Sequence, residues 1–226
     1  MDIHLLSTIQ KLRPDLKIYN ETIDPSQEEM DLFKDNLSRA TGLNNVTFSW
    51  HSKDVVQYEK DAKLNNNVKK FDLIHMIQML YYVKPVKETL EFLKSCLSPE
   101  GKMVIVVLSG ESGWNRMTRK YEWLWREEFN LGLNSEAVTD ILEGLSMKYE
   151  IHDIDCFFDV TECLEEGNKA GEMLLDVLTD FARFAETAPP DHKAQVLADI
   201  QSPEFSIRKD GKVWFDTRLK GIVARL

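Results

Sequence analysis

The chain predicts an α/β protein: a doubly wound, largely parallel sheet that finishes in an antiparallel hairpin. Two observations carry this. Segments of helical and of strand periodicity alternate along the 226 residues, the pattern that lays helices on both faces of a parallel sheet. The last stretch, FSIRKDGKVWFDTRLKGIVARL, sets Asp210-Gly211 between alternating segments, a tight-turn signal for a hairpin.

Ile3, Leu5, Leu6, Ile9 and Leu12 recur at helical spacing, so residues 2–12 form a helix that Pro14 stops. LKIYNETIDP alternates as a strand and ends at Asp24-Pro25. Ser26, with Glu29 three residues on, makes a capping-box start for a helix running to Gly42, and NVTFSWH follows as a strand. Residues 54–64 make a short helix closed by Asn65-Asn66-Asn67. KKFDLIHMI is a strand, VKETLEFLKSCL a helix, and GKMVIVVLS a strand rich in β-branched residues. Gly113 to Trp125 reads as one helix, and NSEAVTDILEGL as another, capped by Asn134 or Ser135. KYEIHDIDCFFDV returns as a strand, then GEMLLDVLTDFARF and DHKAQVLADI are helices. No boundary interrupts the series, so 1–226 reads as a single domain.

Hydrophobic residues make up 43% of the chain, enough for a core. The net charge of −10 argues against a nucleic-acid surface, because binding to phosphates depends on Lys and Arg. It is compatible with a small cationic substrate. Cys96, Cys156 and Cys163 show neither CxxC nor metal spacing, and the five histidines are scattered. No metal site is expected, and the thiols read as the reduced cysteines of a cytoplasmic protein. No apolar run approaches the roughly 20 residues that span a bilayer, and MDIHLLSTIQKL lacks the basic start and cleavage site of a secretory leader. A monomer that works on a small molecule, with no nucleic-acid or membrane partner, is the expectation.

In doubly wound sheets the ligand sits beyond the carboxyl ends of the strands. Asp24 closes one strand; a carboxylate there can take both hydroxyls of a ribose, or simply form the turn before Pro25. Gln78, Tyr81 and Tyr82 follow the strand FDLIHMI, where an amide and two phenols need polar partners if they are inside. The strand VVLS opens into a turn at Ser109-Gly110. Tyr81, Tyr82, Trp114 and Trp125 could wall a cationic or imidazole ligand, or pack the core as aromatic residues commonly do. No nucleophilic triad, HExxH or phosphate loop is present, so no catalytic nucleophile is assigned.

These residues carry a resemblance. IHMIQMLYYV, DPS, SGESGW, EGN, TAPPD, SPEFS and DGKV together resemble the vertebrate histamine N-methyltransferases over essentially the whole chain. The resemblance implies a class I methyltransferase fold and S-adenosylmethionine as cofactor, with methyl transfer to an imidazole nitrogen of a small imidazole or amine substrate. It implies cofactor contacts at Asp24 (in place of the family's ribose-binding Glu), Glu29 (in place of a Gln), Val55 (in place of a Ser near the adenine) and Ile77. For the substrate it implies Gln78 on the imidazole, Tyr82 and Trp125 as walls, and Thr217 where the family's amine-binding Asn stands. Thr118 replaces a family Trp and Val177 a pocket Phe. The acid at Asp216, beside Thr217, opens the amine end to a different cation, and a dipeptide or larger amine becomes an alternative to histamine. The family's first helix, first strand and GGGxGE loop have no counterpart before Met1. The chain therefore reads as N-terminally truncated, with the neighbours of an absent central strand left unpaired or taking a substitute. The alternative function is a non-catalytic protein without cofactor binding.

Overall fold

In the computed structural model of the protein, residues 2–124 and 129–226 are described. The chain divides into two compact units, 1–69 and 70–226.

The first unit holds α1 (Asp2–Leu12), β1 (Ile18–Ile23), α2 (Gln27–Arg39), β2 (Val46–His51) and α3 (Val55–Leu64). The two strands pair in parallel, from Ile18 opposite Val46 to Ile23 opposite His51. Successive side chains on a strand point to opposite faces, and α2 takes one of them. There Phe33 sets its ring edge against Phe48 and Trp50, which stack on each other at 5.2 Å. On the other face Tyr58 of α3 meets His51 edge-on at 5.1 Å.

Glu21 lies on that second face with its side chain 2% exposed. A carboxylate so placed has to be paired and hydrogen-bonded. Tyr58, Lys69 and Tyr19 all donate to it, and His51 Nε2 stands 3.7 Å away. Burial opposes its ionisation, yet these donors prevail and hold the carboxyl below the usual range.

The second unit runs through β3 (Phe71–Ile77), α4 (Val86–Ser95), β4 (Leu97–Leu108), α5 (Gly113–Lys120), α6 (Ser135–Gly144) and β5 (Lys148–Ile154). It continues with β6 (Phe157–Asp159), α7 (Lys169–Thr179), α8 (Phe184–Thr187), α9 (Pro190–Gln201), β7 (Ser206–Lys209), β8 (Lys212–Asp216) and β9 (Leu219–Arg225). The larger sheet has the order β3-β4-β9-β5, with β3 parallel to β4 and β9 antiparallel to both its neighbours. Met103, Ile105 and Val107 of β4 and Ile222 of β9 have no exposed surface, and α4 and α6 close over the sheet with Leu90, Val138 and Leu142. A three-stranded sheet, β6-β8-β7, packs with α5, α7 and α9 around Met117, Leu178, Ile200 and Phe215.

Several boundaries depart from the sequence expectation for physical reasons. The segment 148–160 reads as one strand, yet β5 joins the large sheet and β6 the small one; strand character alone does not register a change of partner. The Asp210-Gly211 turn forms with φ 53° and 75°, the type I′ pattern. It joins β7 to β8 in the small sheet, whereas β9 crosses over to lie between β4 and β5. The helix expected to reach Trp125 stops at Lys120 and gives way to a 3-10 turn over Glu122–Leu124. The helix expected over 171–184 breaks after Thr179, where Asp180 turns left-handed at φ 51°. Among the described residues β1 pairs only with β2, β3 pairs only with β4, and no helix is long and apolar enough to cross a membrane.

Two outcomes test this packing. Glu21→Gln is expected to cost about 1–2 kcal/mol at pH 7. The carboxyl is depressed in the folded state, so its contribution is full above the unfolded value near 4.3 and fades as pH falls further. Denaturant titrations should therefore show the gap between wild type and variant narrowing below about pH 4; a gap of constant size would exclude the charge as its source. In Gly171→Ala an added Cβ would stand 2.0 Å from Glu162 O. Pushing α7 off that backbone is expected to cost about 1–3 kcal/mol, read as a fall in Tm of roughly 3–10 °C.

Candidate active site

The carboxyl end of β3 is the first place where geometry departs from plain folding. Ile77, half-buried, closes the strand opposite Val106. Gln78 follows with φ 55°, a left-handed conformation uncommon for a side-chain-bearing residue. Its N–H still donates to Val106 O at 2.9 Å, which fixes the turn to β4. Its side-chain Nε2 is buried and meets no hydrogen-bond partner among the described residues. A buried amide nitrogen without a partner costs about 1–3 kcal/mol. Strain and an unmet donor on one residue are the marks of a position kept for a ligand.

The two tyrosines that follow divide their roles. The Tyr81 oxygen accepts the Leu108 N–H at 2.6 Å, its ring stacks on Phe129 at 5.3 Å, and burial pushes its pKa up. Tyr81 therefore belongs to the scaffold. Tyr82 touches Phe129 only edge-on, at 5.6 Å, and is 67% exposed, so its ring is open to a ligand.

After β4 the turn Ser109–Ser112 is tied down by its own side chains. Ser112 Oγ donates to Ser109 O at 2.8 Å and accepts the Asn115 N–H at 3.1 Å. Asn115 Nδ2 donates back to Gly110 O at 2.8 Å, and the Gly110 N–H reaches Ser135 Oγ and Glu136 Oε2. Gly113 then enters α5 so close to the Phe205 carbonyl that a Cβ would stand 2.3 Å from it. Trp114 follows, its ring 5.9 Å from Phe158 and its Nε1 buried without a partner among the described residues.

Opposite α5 the chain leaves β8 at Asp216. Thr217 is 1% exposed, donates its N–H to Cys156 O at 3.1 Å, and has a buried hydroxyl with no partner among the described residues. Asp216 was expected to offer a free acid to a substrate cation, and the geometry corrects this. Its carboxylate accepts the Arg218 N–H at 3.1 Å, Nε at 2.9 Å and Nη2 at 2.8 Å. Burial opposes its ionisation, but the Arg218 donors, aided by the Gly113 amide, hold its pKa below the usual carboxylate value. A carboxylate so neutralised has little attraction left for a second cation.

In the first unit Asp24 and Glu29 meet at the junction of β1 and α2. Asp24 Oδ1 accepts the Ser26 N–H at 2.8 Å, and Ser26 Oγ accepts the Glu29 N–H at 3.2 Å. Half of the expected capping box forms, with Asp24 taking the part planned for the Glu29 carboxylate. Asp24 Oδ2 has no hydrogen bond from any described residue, and the side chain is half-buried beside the N-terminus of α2. The Asp24 N–H donates to His51 O, so the ends of β1 and β2 lie together, and Val55 opens α3 four residues beyond that end. One free carboxylate oxygen at a parallel strand end fits a ribose diol, and the cofactor of this fold class fits Asp24 on that ground. Glu29 is exposed and Val55 half-buried. Thr118 spends its hydroxyl on Asn115 O, Val177 is exposed on α7, and Trp125 lies outside the described residues. Ser112, Asn115 and Arg218 escaped sequence reading. Ser112 carries the mark of an N-cap, but the bonds of Asn115 and Arg218 double back across turns and leave no period.

Comparison with known proteins accords with this geometry. The profile of a methyltransferase domain matches residues 4–143. YcgJ protein from Bacillus subtilis superimposes with a TM-score of 0.58 at 12% identity, covering 97% of this chain and 87% of that one. A putative methyltransferase from Bacillus halodurans gives 0.58 at 12% identity, over 92% of this chain and 82% of its own. The fold is that of the class I methyltransferases, whose methyl donor is S-adenosylmethionine. Histamine N-methyltransferase A of Xenopus laevis is 39% identical over 99% of this chain and 76% of its own length. The histamine N-methyltransferase of Bos taurus is 38% identical over 99% and 77%, and carnosine N-methyltransferase 2 of Gallus gallus 37% over 99% and 70%. The chain belongs to the histamine N-methyltransferase family.

Gln78→Gly is expected to raise stability by about 0.5–1 kcal/mol, because glycine adopts a positive φ without strain and the orphaned amide is removed. Thermal unfolding of the variant checks this. A Tm lower than wild type would make Gln78 a packing residue.

Proposed function

We propose that the protein transfers the methyl group of S-adenosylmethionine to a ring nitrogen of a small imidazole substrate. The observation that carries the reading is the Gln78 carboxamide, strained at φ 55° and with Nε2 buried and unmet. Histamine and carnosine, after which the relatives are named, share an imidazole ring. A ring with one N–H donor and one lone pair is the complement of a carboxamide, which offers an acceptor and a donor side by side and can turn end for end.

Bound S-adenosylmethionine supplies a methyl group already activated on sulfur, so the protein's part is placement. Turned end for end, the Gln78 carboxamide brings Oε1 to the orphaned position, where it accepts the imidazole N–H and thereby selects the tautomer whose other nitrogen presents a free lone pair. Tyr82 and Trp125 wall the ring and keep water from it. Thr217 meets the substrate's tail. Asp24 accepts from the ribose hydroxyls through Oδ2, while Glu29, Val55 and Ile77 border the cofactor. No side chain has to become a covalent nucleophile, and none is assigned that task. The reading includes a cytoplasmic monomer that works as a single domain, without nucleic acid or membrane.

The test is methyl transfer from labelled S-adenosylmethionine to a panel of imidazoles, alongside calorimetry with S-adenosylhomocysteine. Transfer to at least one imidazole is expected. It should fall about tenfold per pH unit below the substrate's ring pKa, near 6.5 for a free imidazole side chain, because the protonated ring has no lone pair. Gln78→Gly should lower kcat/KM by about a hundredfold or more in a protein that is folded as well as the wild type. Binding of neither cofactor product nor imidazole would overturn the proposal.

A further inference from the structure

The pairing of β3 with β4 stops one rung short of where β4 could carry it. Ile77 lies opposite Val106, and the Gln78 N–H donates to Val106 O at 2.9 Å. In a parallel ladder a residue takes its two bonds from the residues on either side of its partner, and the rungs are evenly spaced. One step further, the same ladder would send the Leu108 N–H to the Gln78 carbonyl. The Ser109 N–H donates to Arg218 O on the β9 side, so the Leu108 N–H faces β3. There it meets a side chain in place of a backbone: it donates to the Tyr81 phenol oxygen at 2.6 Å.

This exchange of acceptor is what lets Gln78 leave the ladder. The next rung needs an extended Gln78, and Gln78 stands at φ 55°. Tyr81 and Leu108 are both buried, so water cannot stand in for the phenol, and an N–H left unmet there would be costly. The phenol is itself held in place. Its ring stacks on Phe129 at 5.3 Å, and the Tyr81 carbonyl accepts the Asn130 N–H at 2.8 Å. Burial pushes the phenol pKa up, so the group serves as a neutral acceptor and not as a base.

We propose that Tyr81 is a positioning residue for methyl transfer: its phenol fills the rung that the Gln78 carbonyl would otherwise take, and so keeps Gln78 in the left-handed conformation that aims its carboxamide at the imidazole. This rests on the imidazole reading of Gln78 and adds to it the residue that sets the aim. Tyr81 touches no reacting atom and acts through Gln78 alone. Without the hydroxyl, one movement relieves both the unmet Leu108 N–H and the strain at Gln78, namely rotation of Gln78 into the extended region. The ladder then continues by one rung, and the carboxamide leaves its place. The hydroxyl thus biases two conformers of one residue.

The test measures methyl transfer to the best imidazole of the panel in wild type, Tyr81→Phe, Gln78→Gly and the double variant, and reads the Gln78 Cα and Cβ chemical shifts by NMR in wild type and Tyr81→Phe. Tyr81→Phe should lower kcat/KM for the imidazole about tenfold or more and leave KM for S-adenosylmethionine within about twofold of wild type. Its Gln78 shifts should move to extended-backbone values while the Leu108 amide stays protected from hydrogen exchange. In the Gln78→Gly background the same substitution should change kcat/KM by less than about twofold, because the side chain it works through is already gone. If Tyr81→Phe fails to fold by circular dichroism, Tyr81→para-fluorophenylalanine takes its place, since it keeps the size of the phenol and weakens only the acceptor. Losses that multiply in the double variant, or Gln78 shifts that stay left-handed in Tyr81→Phe, overturn the positioning role and leave the imidazole reading standing. Absence of transfer by the wild type overturns the imidazole reading, and this inference with it.

Discussion

The final residues of β4 are the constraint on which the rest of the site depends. Val106 O receives the Gln78 N–H, the Leu108 N–H goes to the Tyr81 oxygen, and the Ser109 N–H goes to Arg218 O. Three backbone groups on four consecutive residues thus tie the exit of β3 on one side and the entry of β9 on the other. Such a hinge point has to be rigid, and β4 is: Met103, Ile105 and Val107 are fully buried along it, and it has a strand on each side. A buried strand paired on both sides lies at the stable end of local opening equilibria. The residues that hang from β4 can be strained or unpaired because it does not move.

That rigidity explains how unpaired polar atoms can persist where they do. Gln78 Nε2, Trp114 Nε1 and Thr217 Oγ1 are each buried without a partner among the described residues, each at a cost of order 1–3 kcal/mol. A soft loop would turn such groups out to water. Here the Ser109–Ser112 turn is cross-linked by Ser112 and Asn115, and Gly113 is wedged under the Phe205 carbonyl, so Trp114 cannot swing away. Donors pre-oriented in this way need no reorganisation when a ligand arrives, which is the condition for placement to accelerate a reaction that needs no nucleophile.

Much of the fold was legible because it is local. Ser26 and Asn134 cap their helices with side-chain oxygens, and only the second left two candidates. Asp210-Gly211 turns as its φ requirement dictates. What escaped was pairing: nothing in KYEIHDIDCFFDV shows that its two halves serve different sheets, and nothing in LKGIVAR shows that it lies between β4 and β5. Partner choice depends on the packing of distant segments, which strand periodicity does not encode. The site divided in the same way. Gln78 could be read because an amide at a strand exit is odd by itself, whereas Asp216 misled because the bonds it accepts from Arg218 leave no pattern in the sequence.

Asp24 and Gln78 illustrate how far a resemblance and a physical reading lend each other weight. The resemblance sets both residues at positions where it implies ligand contacts, Gln78 unchanged and Asp24 in place of a Glu. At Asp24 local structure already supplies a sufficient reason for the residue, since Oδ1 closes the turn onto Ser26 N–H and any protein of this shape could use an acid there. The free Oδ2 is compatible with a ribose without demanding one. At Gln78 no described residue gives the side-chain nitrogen a partner. Its backbone would be easier as glycine, its nitrogen would be better absent, and the tyrosine that follows it by three residues is committed to Leu108. A residue that the fold would do better without points to a ligand more strongly than one the fold also employs. The functional reading therefore rests on Gln78, with Asp24 as its consistent companion.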